Sequence, residues 1–213
     1  MRVKRFHDRA DAGRQLTAAL APVADPRAIV FGIPRGGVVV AAEVARVCGL
    51  PLAAAVVRKL GAPHQEEYAV GAIADGVRIL NPDAVRHGGV TPEQLASVEK
   101  SERVELERRT GLFAASLPSV SGRTAIVVDD GIATGSTATA ACTALRAHGP
   151  ARIILAVPVA PARWLPDPDV VDDFICLHPV RDFWAVGQFY TDFTQTGDGE
   201  VARLLSRDLP APE

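Results

Sequence analysis

Two adjacent carboxylates, Asp129 and Asp130, end an apolar run and open a loop of glycine and hydroxyls in VVDDGIATGST, residues 127–137. Gly131 and Gly135 let a backbone turn tightly and approach a ligand closely. Thr134, Ser136 and Thr137 add hydroxyl donors. The run before the acids, RTAIVVDD, is rich in β-branched residues and reads as a strand buried on both faces of a parallel sheet. After them, STATAACTALRAHG carries Thr137, Ala141, Ala144 and Leu145 at helical spacing, and Gly149-Pro150 stops it. The polar residues therefore occupy a strand-to-helix turn at the carboxyl end of a strand, where open α/β sheets bind ligands.

The turn chemistry narrows that ligand. Free N–H groups at a helix start, with the positive end of the helix dipole, suit a phosphate. The carboxylates would repel a phosphate and suit a neighbouring part of the same molecule, either sugar hydroxyls or a bound Mg²⁺. An ordinary helix cap needs one such side chain, and here two acids and three hydroxyls stand together. There is no G-x-x-x-x-G-K-[ST] loop for a nucleoside triphosphate, and GIPRGG lacks the G-x-G-x-x-G spacing of dinucleotide folds.

VVDDGIATGST resembles the phosphoribosyl-pyrophosphate (PRPP) motif of the type I phosphoribosyltransferases: apolar strand, two acids, two variable residues, a small residue, Thr-Gly and two hydroxyls. The resemblance implies that Asp129 and Asp130 hold the ribose hydroxyls. It also implies that Gly131 and the loop Ala133, Thr134, Gly135, Ser136, Thr137 cradle the 5′-phosphate. Two further segments are similar to the family, AIVFGIPRGGVVVAAEVARVCG and LAAAVVRKLGAP. They imply a pyrophosphate site made by Arg35, Gly36 and Gly37 and by the basic pair Arg58 and Lys59. The family often carries a cis peptide in the first of these loops, which points to Pro34-Arg35. The residues themselves agree: a glycine pair exposes N–H groups before a helix, and Arg35 adds a bidentate phosphate donor. FHDRADAGRQLTAAL and KLGAPHQEEYAVGAIADG resemble a subgroup whose acceptor is unassigned, so the likeness covers nearly the whole chain.

The implied activity is Mg²⁺-dependent transfer of the 5-phosphoribosyl group of PRPP to a nitrogenous acceptor such as a nucleobase, with release of pyrophosphate. Asp129, Asp130, Arg35 and Lys59 form the catalytic set, and Mg²⁺ meets the two aspartates only together with PRPP. A PRPP-sensing regulator that has lost turnover is the alternative. His64, Glu66 and Glu67 fall in a lid and could serve as general acid or base. HPVRDFWAVGQFYTDF, residues 178–193, gathers aromatics in a chain with only 5% of them. It loosely resembles the hood of 6-oxopurine enzymes, with Trp184, Phe183 and Val186 toward the acceptor. Its Gly187-to-Asp192 spacing is one residue too long, and Ala133 stands where those enzymes carry an acid. The acceptor is therefore open.

The elements that must position these residues follow from pattern. Helices are expected over about 8–21, 36–48, 92–115 and 136–149, and strands over 28–33, 52–58, 123–130, 151–160 and 170–177. YAVGAIAD and VRIL read as a hairpin, and DGEVARLLS as a closing helix capped by Asp198. The alternation gives an α/β doubly wound parallel sheet in a single domain over residues 1–213, with a mobile lid and hairpin over about 60–90 and a hood over about 178–197. The charged helix reads as a solvated face with i,i+4 pairs Glu99–Arg103 and Glu105–Arg109. A net charge of −2 gives no footprint for nucleic acid, and no apolar run reaches membrane-spanning length. Cys48, Cys142 and Cys176 fit no metal or disulfide spacing, so a reduced, cytoplasmic protein is expected. A homodimer is implied by resemblance alone.

Overall fold

A computed structural model describes residues 5–21, 25–113 and 119–206, without the side chains of Glu66 and Glu67. Five parallel strands form the central sheet: β1 (Ile29–Gly32), β2 (Leu52–Ala54), β6 (Thr124–Val128), β7 (Arg152–Pro161) and β8 (Asp173–Val180), in the order β2-β1-β6-β7-β8. The chain steps outward from β1 to β2 and later returns to the other side of β1 with β6. The sheet therefore has its topological switch point between β1 and β6, and loops leaving those strands diverge around a crevice.

Alternation along the strands divides the core in two. Phe31, Val127, Ile153 and Leu155 face Ala138, Ala141 and Leu145 of α5 (Ser136–Arg146). Val30, Ile126, Val128 and Ile154 face the other side. There they meet Leu16 and Leu20 of α1 (Arg9–Leu20) and Val40, Ala41 and Val44 of α2 (Gly36–Cys48). Burial on both faces is why the motif strand reads as a continuous apolar run. Asp8 caps α1 by accepting from the Asp11 N–H at 2.7 Å.

The expected strand over 52–58 is two strands in different sheets. Parallel pairing ends where the Ala55 N–H donates to the Gly32 carbonyl at 2.9 Å. The chain then leaves the main sheet, and β3 (Val57–Ala62) pairs antiparallel with β4 (Gln65–Ala74), itself paired with β5 (Val77–Leu80). Arg58 and Lys59 therefore stand on this smaller sheet rather than at the end of a core strand. The expected hairpin is its β4–β5 half.

The smaller sheet has its own core. Leu60, Val70 and Ile73 pack with Ala84 of α3 (Pro82–His87) and with Leu95 and Leu106 of α4 (Pro92–Phe113). Residues 114 and 115, the expected end of the charged helix, lie outside the described residues. That helix is not simply a solvated face. Glu99 and Arg103 pair as expected, but Glu99 also accepts from Arg78 of β5 at 2.7 Å, and Glu102 accepts from Arg58 of β3 at 2.6 Å. Arg109 does pair with Glu105, yet it is buried at 8% exposure.

Two ends differ from expectation. The last strand starts at Asp173 because Val170 and Val171 turn back onto Asp167, and Asp172 accepts from the Ile153 N–H and from Arg146. Asp198 does not cap the closing helix α6 (Asp198–Leu205). Gly197 is its N-cap, and the Asp198 carboxylate turns to Arg108 of α4 at 2.5 Å.

Leu60 and Ile73 are fully buried in the smaller sheet. Truncating either to Ala should cost about 2–5 kcal/mol, read as a lower denaturant midpoint with an unchanged slope. A loss under about 0.5 kcal/mol would show that this sheet is not part of the cooperative core.

Candidate active site

The loops after β1 and β6 meet at the switch point and are pressed together. A Cβ on Gly37 would lie 2.8 Å from the Val128 carbonyl oxygen and 2.9 Å from Oδ1 of Asp129. A Cβ on Gly36 would collide with the Asp130 carboxylate and come within 2.6 Å of Arg9 Nε. The glycine pair therefore brings the first loop against both aspartates, and the Pro34-Arg35 peptide in it is cis.

The motif turn closes with Gly135 at φ +82°, a conformation suited to glycine. Any side chain there would also run into the indole of Trp164. Gly135 is the N-cap of α5 and no side chain caps the helix, so its first-turn N–H groups remain available to a ligand. Gly131, Ala133, Thr134, Gly135 and Thr137 line a cavity of about 170 Å³, together with Asp129, Lys59 and Val186. Ser136 stands beside it, with its hydroxyl 3.4 Å from that of Thr134.

A larger, more polar cavity of about 560 Å³ adjoins through Lys59. Arg35, Arg58 and Lys59 line it together with Ser101, Glu102 and Arg109 of α4. Arg35 has an internal counter-ion, its guanidinium lying 3.8 Å from Oδ1 of Asp198.

The two aspartates are not equivalent. Oδ1 of Asp129 accepts the Asp130 N–H at 2.8 Å. Burial, and then the charge of Asp130 beside it, hold the Asp129 carboxyl well above the ordinary carboxylate range. Asp130 is also raised by burial, but Arg9 opposes that shift by donating Nε–H to Oδ2 at 2.7 Å. The Tyr190 hydroxyl donates to the Asp130 backbone carbonyl at 2.6 Å. Arg9 and Tyr190 were missed in the sequence. The available signal was a basic residue directly after a helix cap and an aromatic-rich C-terminal segment, and neither names a partner.

Among the expected acceptor residues, Val186 reaches the motif cavity. Phe183 stacks on Phe189 with centroids 5.5 Å apart, and Trp184 projects outward at 89% exposure, away from both cavities. Asp192 turns into its own loop, accepting from the Thr194 hydroxyl at 2.6 Å. His64 is exposed, and the side chains of Glu66 and Glu67 lie outside the described residues. No cluster of three His, Cys, Asp or Glu able to hold a metal occurs among the described residues. The hard oxygens of Asp129 and Asp130 suit Mg²⁺, but Oδ2 of Asp130 is committed to Arg9. The two aspartates alone would supply too few oxygens to hold a Mg²⁺, so an ion there would need further ligands from outside the chain.

Residues 16–194 match the family profile described as the phosphoribosyl transferase domain. Two proteins of Mycobacterium tuberculosis, from strains CDC 1551/Oshkosh and ATCC 25618/H37Rv, are provisionally named phosphoribosyl transferases. Each is 47% identical over 212 residues, covering 96% of this chain and 47% of its own length, so the chain spans about half of these relatives. The crystal structure of TT1426 from Thermus thermophilus is 38% identical and superposes with a TM-score of 0.70, covering 94% of this chain and 97% of that one. A protein of Neisseria gonorrhoeae shares the fold at 13% identity and a TM-score of 0.52, covering 96% and 97% of the two chains.

Asp→Asn should separate the two acids. A carboxyl raised above its ordinary 3.8 makes folding less favourable as pH rises from that value through the raised one. Asp129→Asn removes this burden and keeps the oxygen that accepts the Asp130 N–H. The ligand-free melting temperature at about pH 7 should hold or rise, and the difference from wild type should vanish below about pH 4. Asp130→Asn gives up the Arg9 pair that offsets part of the burial of its carboxylate, so any gain there should be smaller than for Asp129→Asn. Equal responses in a pH series of thermal melts would contradict the assigned asymmetry.

Proposed function

Because the chain belongs to the phosphoribosyl transferase domain family, we propose that it transfers the 5-phosphoribosyl group of PRPP to a nitrogenous acceptor, releasing pyrophosphate. The observation that carries this reading is Lys59, which lines both the glycine- and hydroxyl-rich cavity and the basic one. One ligand with phosphates at its two ends would span them, with its sugar beside Asp129.

In this reading the α5 N-terminus and the Thr134, Ser136 and Thr137 hydroxyls hold the 5′-phosphate. Asp129 and Asp130 accept from the ribose hydroxyls. The pyrophosphate extends toward Arg35, Lys59 and the N–H groups of Gly36 and Gly37, with Arg58 behind them. An acceptor nitrogen attacks C1 as the bond from C1 to the pyrophosphate oxygen breaks, and the departing electron pair leaves on pyrophosphate. Positive charge grows on the ring while negative charge grows on the leaving group, and the Arg35 and Lys59 cations stabilise the latter. Mg²⁺, when bound with PRPP, neutralises further charge on the pyrophosphate. In this reading Val186, which lines the motif cavity, stands on the acceptor side. Ala133, where 6-oxopurine enzymes carry an acid, points away from a standard hypoxanthine or guanine acceptor.

A PRPP sensor without turnover is the second reading, favoured by one feature. Both Arg35 and Asp130 already have protein partners, Asp198 and Arg9. A screen of purine, pyrimidine and other nitrogenous acceptors with PRPP and Mg²⁺, read by pyrophosphate release, separates the two. Turnover supports transfer, and tight PRPP binding without turnover supports sensing.

PRPP with Mg²⁺ should raise the melting temperature by mass action, and adenosine triphosphate should do so much less. Absence of any PRPP shift at millimolar concentrations would sink the donor assignment. Arg35→Ala should weaken pyrophosphate and PRPP by about tenfold or more, the scale of a lost charge-assisted hydrogen bond, while ribose 5-phosphate changes by less than about twofold. Calorimetric titration of the three ligands checks it, and equal losses would remove Arg35 from the pyrophosphate side.

A further inference from the structure

Arg9 begins α1, far in sequence from the motif loop, yet its guanidinium reaches the Asp130 carboxylate and the Gly36 backbone. Nε donates to Oδ2 of Asp130 at 2.7 Å, and Nη1 donates to the Thr194 carbonyl at 2.8 Å. Its Cζ lies 3.9 Å from the centroid of the Phe193 ring, a cation–π contact. The fourth neighbour is the pyrophosphate-side loop, since a Cβ on Gly36 would come within 2.6 Å of Nε. The side chains of the pair are 11% and 16% exposed, too dry for an adventitious surface contact.

The surroundings fix this guanidinium from both ends. Asp8 caps α1 through the Asp11 N–H at 2.7 Å, which sets the backbone from which Arg9 projects. On the far side, the C-terminal segment is held to the N-terminus, with the Thr191 N–H donating to the Phe6 carbonyl at 2.8 Å and the Asp192 N–H to the His7 carbonyl at 2.8 Å. Tyr190, in the same segment, donates to the Asp130 backbone carbonyl at 2.6 Å. Asp130 is thus gripped at its carboxylate by Arg9 and at its backbone by Tyr190. With Oδ2 committed, Oδ1 is the oxygen left for a ligand.

We propose that Arg9 is a positioning residue that aims the Asp130 carboxylate at the vicinal hydroxyls of the sugar, and so sets selectivity for a ribose over a deoxygenated sugar phosphate. The inference rests on the reading that Asp129 and Asp130 hold the ribose diol. A planar fork suits the task because it can donate to a carboxylate and to a carbonyl at once while stacking on a ring. A lysine ammonium can hold the carboxylate but cannot keep all three contacts. Arg9 itself touches no part of the ligand in this arrangement, and its effect passes entirely through Asp130.

The test is calorimetric binding of ribose 5-phosphate and 2,3-dideoxyribose 5-phosphate to wild type, Arg9→Ala, Arg9→Lys and Phe193→Leu. Wild type should prefer ribose 5-phosphate by about tenfold or more, the scale of one or two hydrogen bonds to a charged acceptor. Arg9→Ala should bring that preference to about twofold or less while affinity for the dideoxy sugar changes little. Arg9→Lys should recover part of the preference, and Phe193→Leu should lose part of it. If Arg9→Ala does not fold, Arg9→Lys and Phe193→Leu carry the test, and both must show a reduced preference. Equal losses for both sugars would mean that Arg9 only supports the fold and would overturn the proposal, as would an unchanged preference. If wild type binds both sugars equally, the diol reading itself fails and the role of Arg9 falls with it. If wild type prefers ribose and the variants do too, the diol reading stands and only the Arg9 proposal is lost.

Discussion

Two ligand loops from neighbouring strands approach until no side chain fits between them, and the rest of the site follows from that contact. Gly36 and Gly37 lie against Asp130 and Asp129 with less than a Cβ of clearance. Parallel pairing of β1 with β6 sets the separation of the two strand ends, and crossovers to opposite sides leave the crevice at that point. Glycine is the residue that lets the backbones meet there. It sets the Gly36 and Gly37 backbone beside the two carboxylates, the juxtaposition that the proposed reading assigns to a pyrophosphate and a sugar.

Close approach creates an electrostatic problem, since two adjacent carboxylates are removed from much of the solvent. The protein treats them differently. Asp129 is left with the Asp130 N–H and a carboxyl held well above its usual range by burial and by the neighbouring charge. Asp130 receives Arg9, and its backbone receives Tyr190. The same arrangement recurs on the basic side, where Asp198 of α6 sits between Arg35 and Arg108. Both contacts come from outside the central sheet, from α1 and α6, so these two helices complete a site that the sheet only begins.

The smaller antiparallel sheet has a comparable part. It carries Arg58 and Lys59 to the crevice from a unit with its own apolar core, clamped to α4 by Arg58–Glu102 and Arg78–Glu99. A basic pair on a packed sheet is better positioned than one on a free loop, because the neighbouring rotamers are fixed by packing. The long charged helix thereby forms one wall of the basic cavity through Ser101, Glu102 and Arg109.

The sequence by itself determined what local chemistry can determine. An apolar β-branched run ending in Asp129 and Asp130, then glycine and hydroxyls, then helical spacing, specifies a strand, a tight turn and a helix. The alternation of such units specifies the doubly wound sheet, and the family profile agrees over residues 16–194. The chain could not announce partners separated by 60 residues or more. Arg9 and Asp130, Tyr190 and the Asp130 carbonyl, and Arg35 and Asp198 meet only after the sheet has closed and the termini have docked. Nor could periodicity tell that residues 52–58 change sheets at Ala55, because both halves are extended and apolar and the difference lies in what each pairs with. Trp184 shows what composition leaves open: aromatics mark a segment but not a direction, and the exposed Trp184 ring lines neither cavity while Val186 lines the motif cavity. Residue type and spacing are local quantities; which charge neutralises which, and which face meets the ligand, depend on three-dimensional neighbours that packing alone selects.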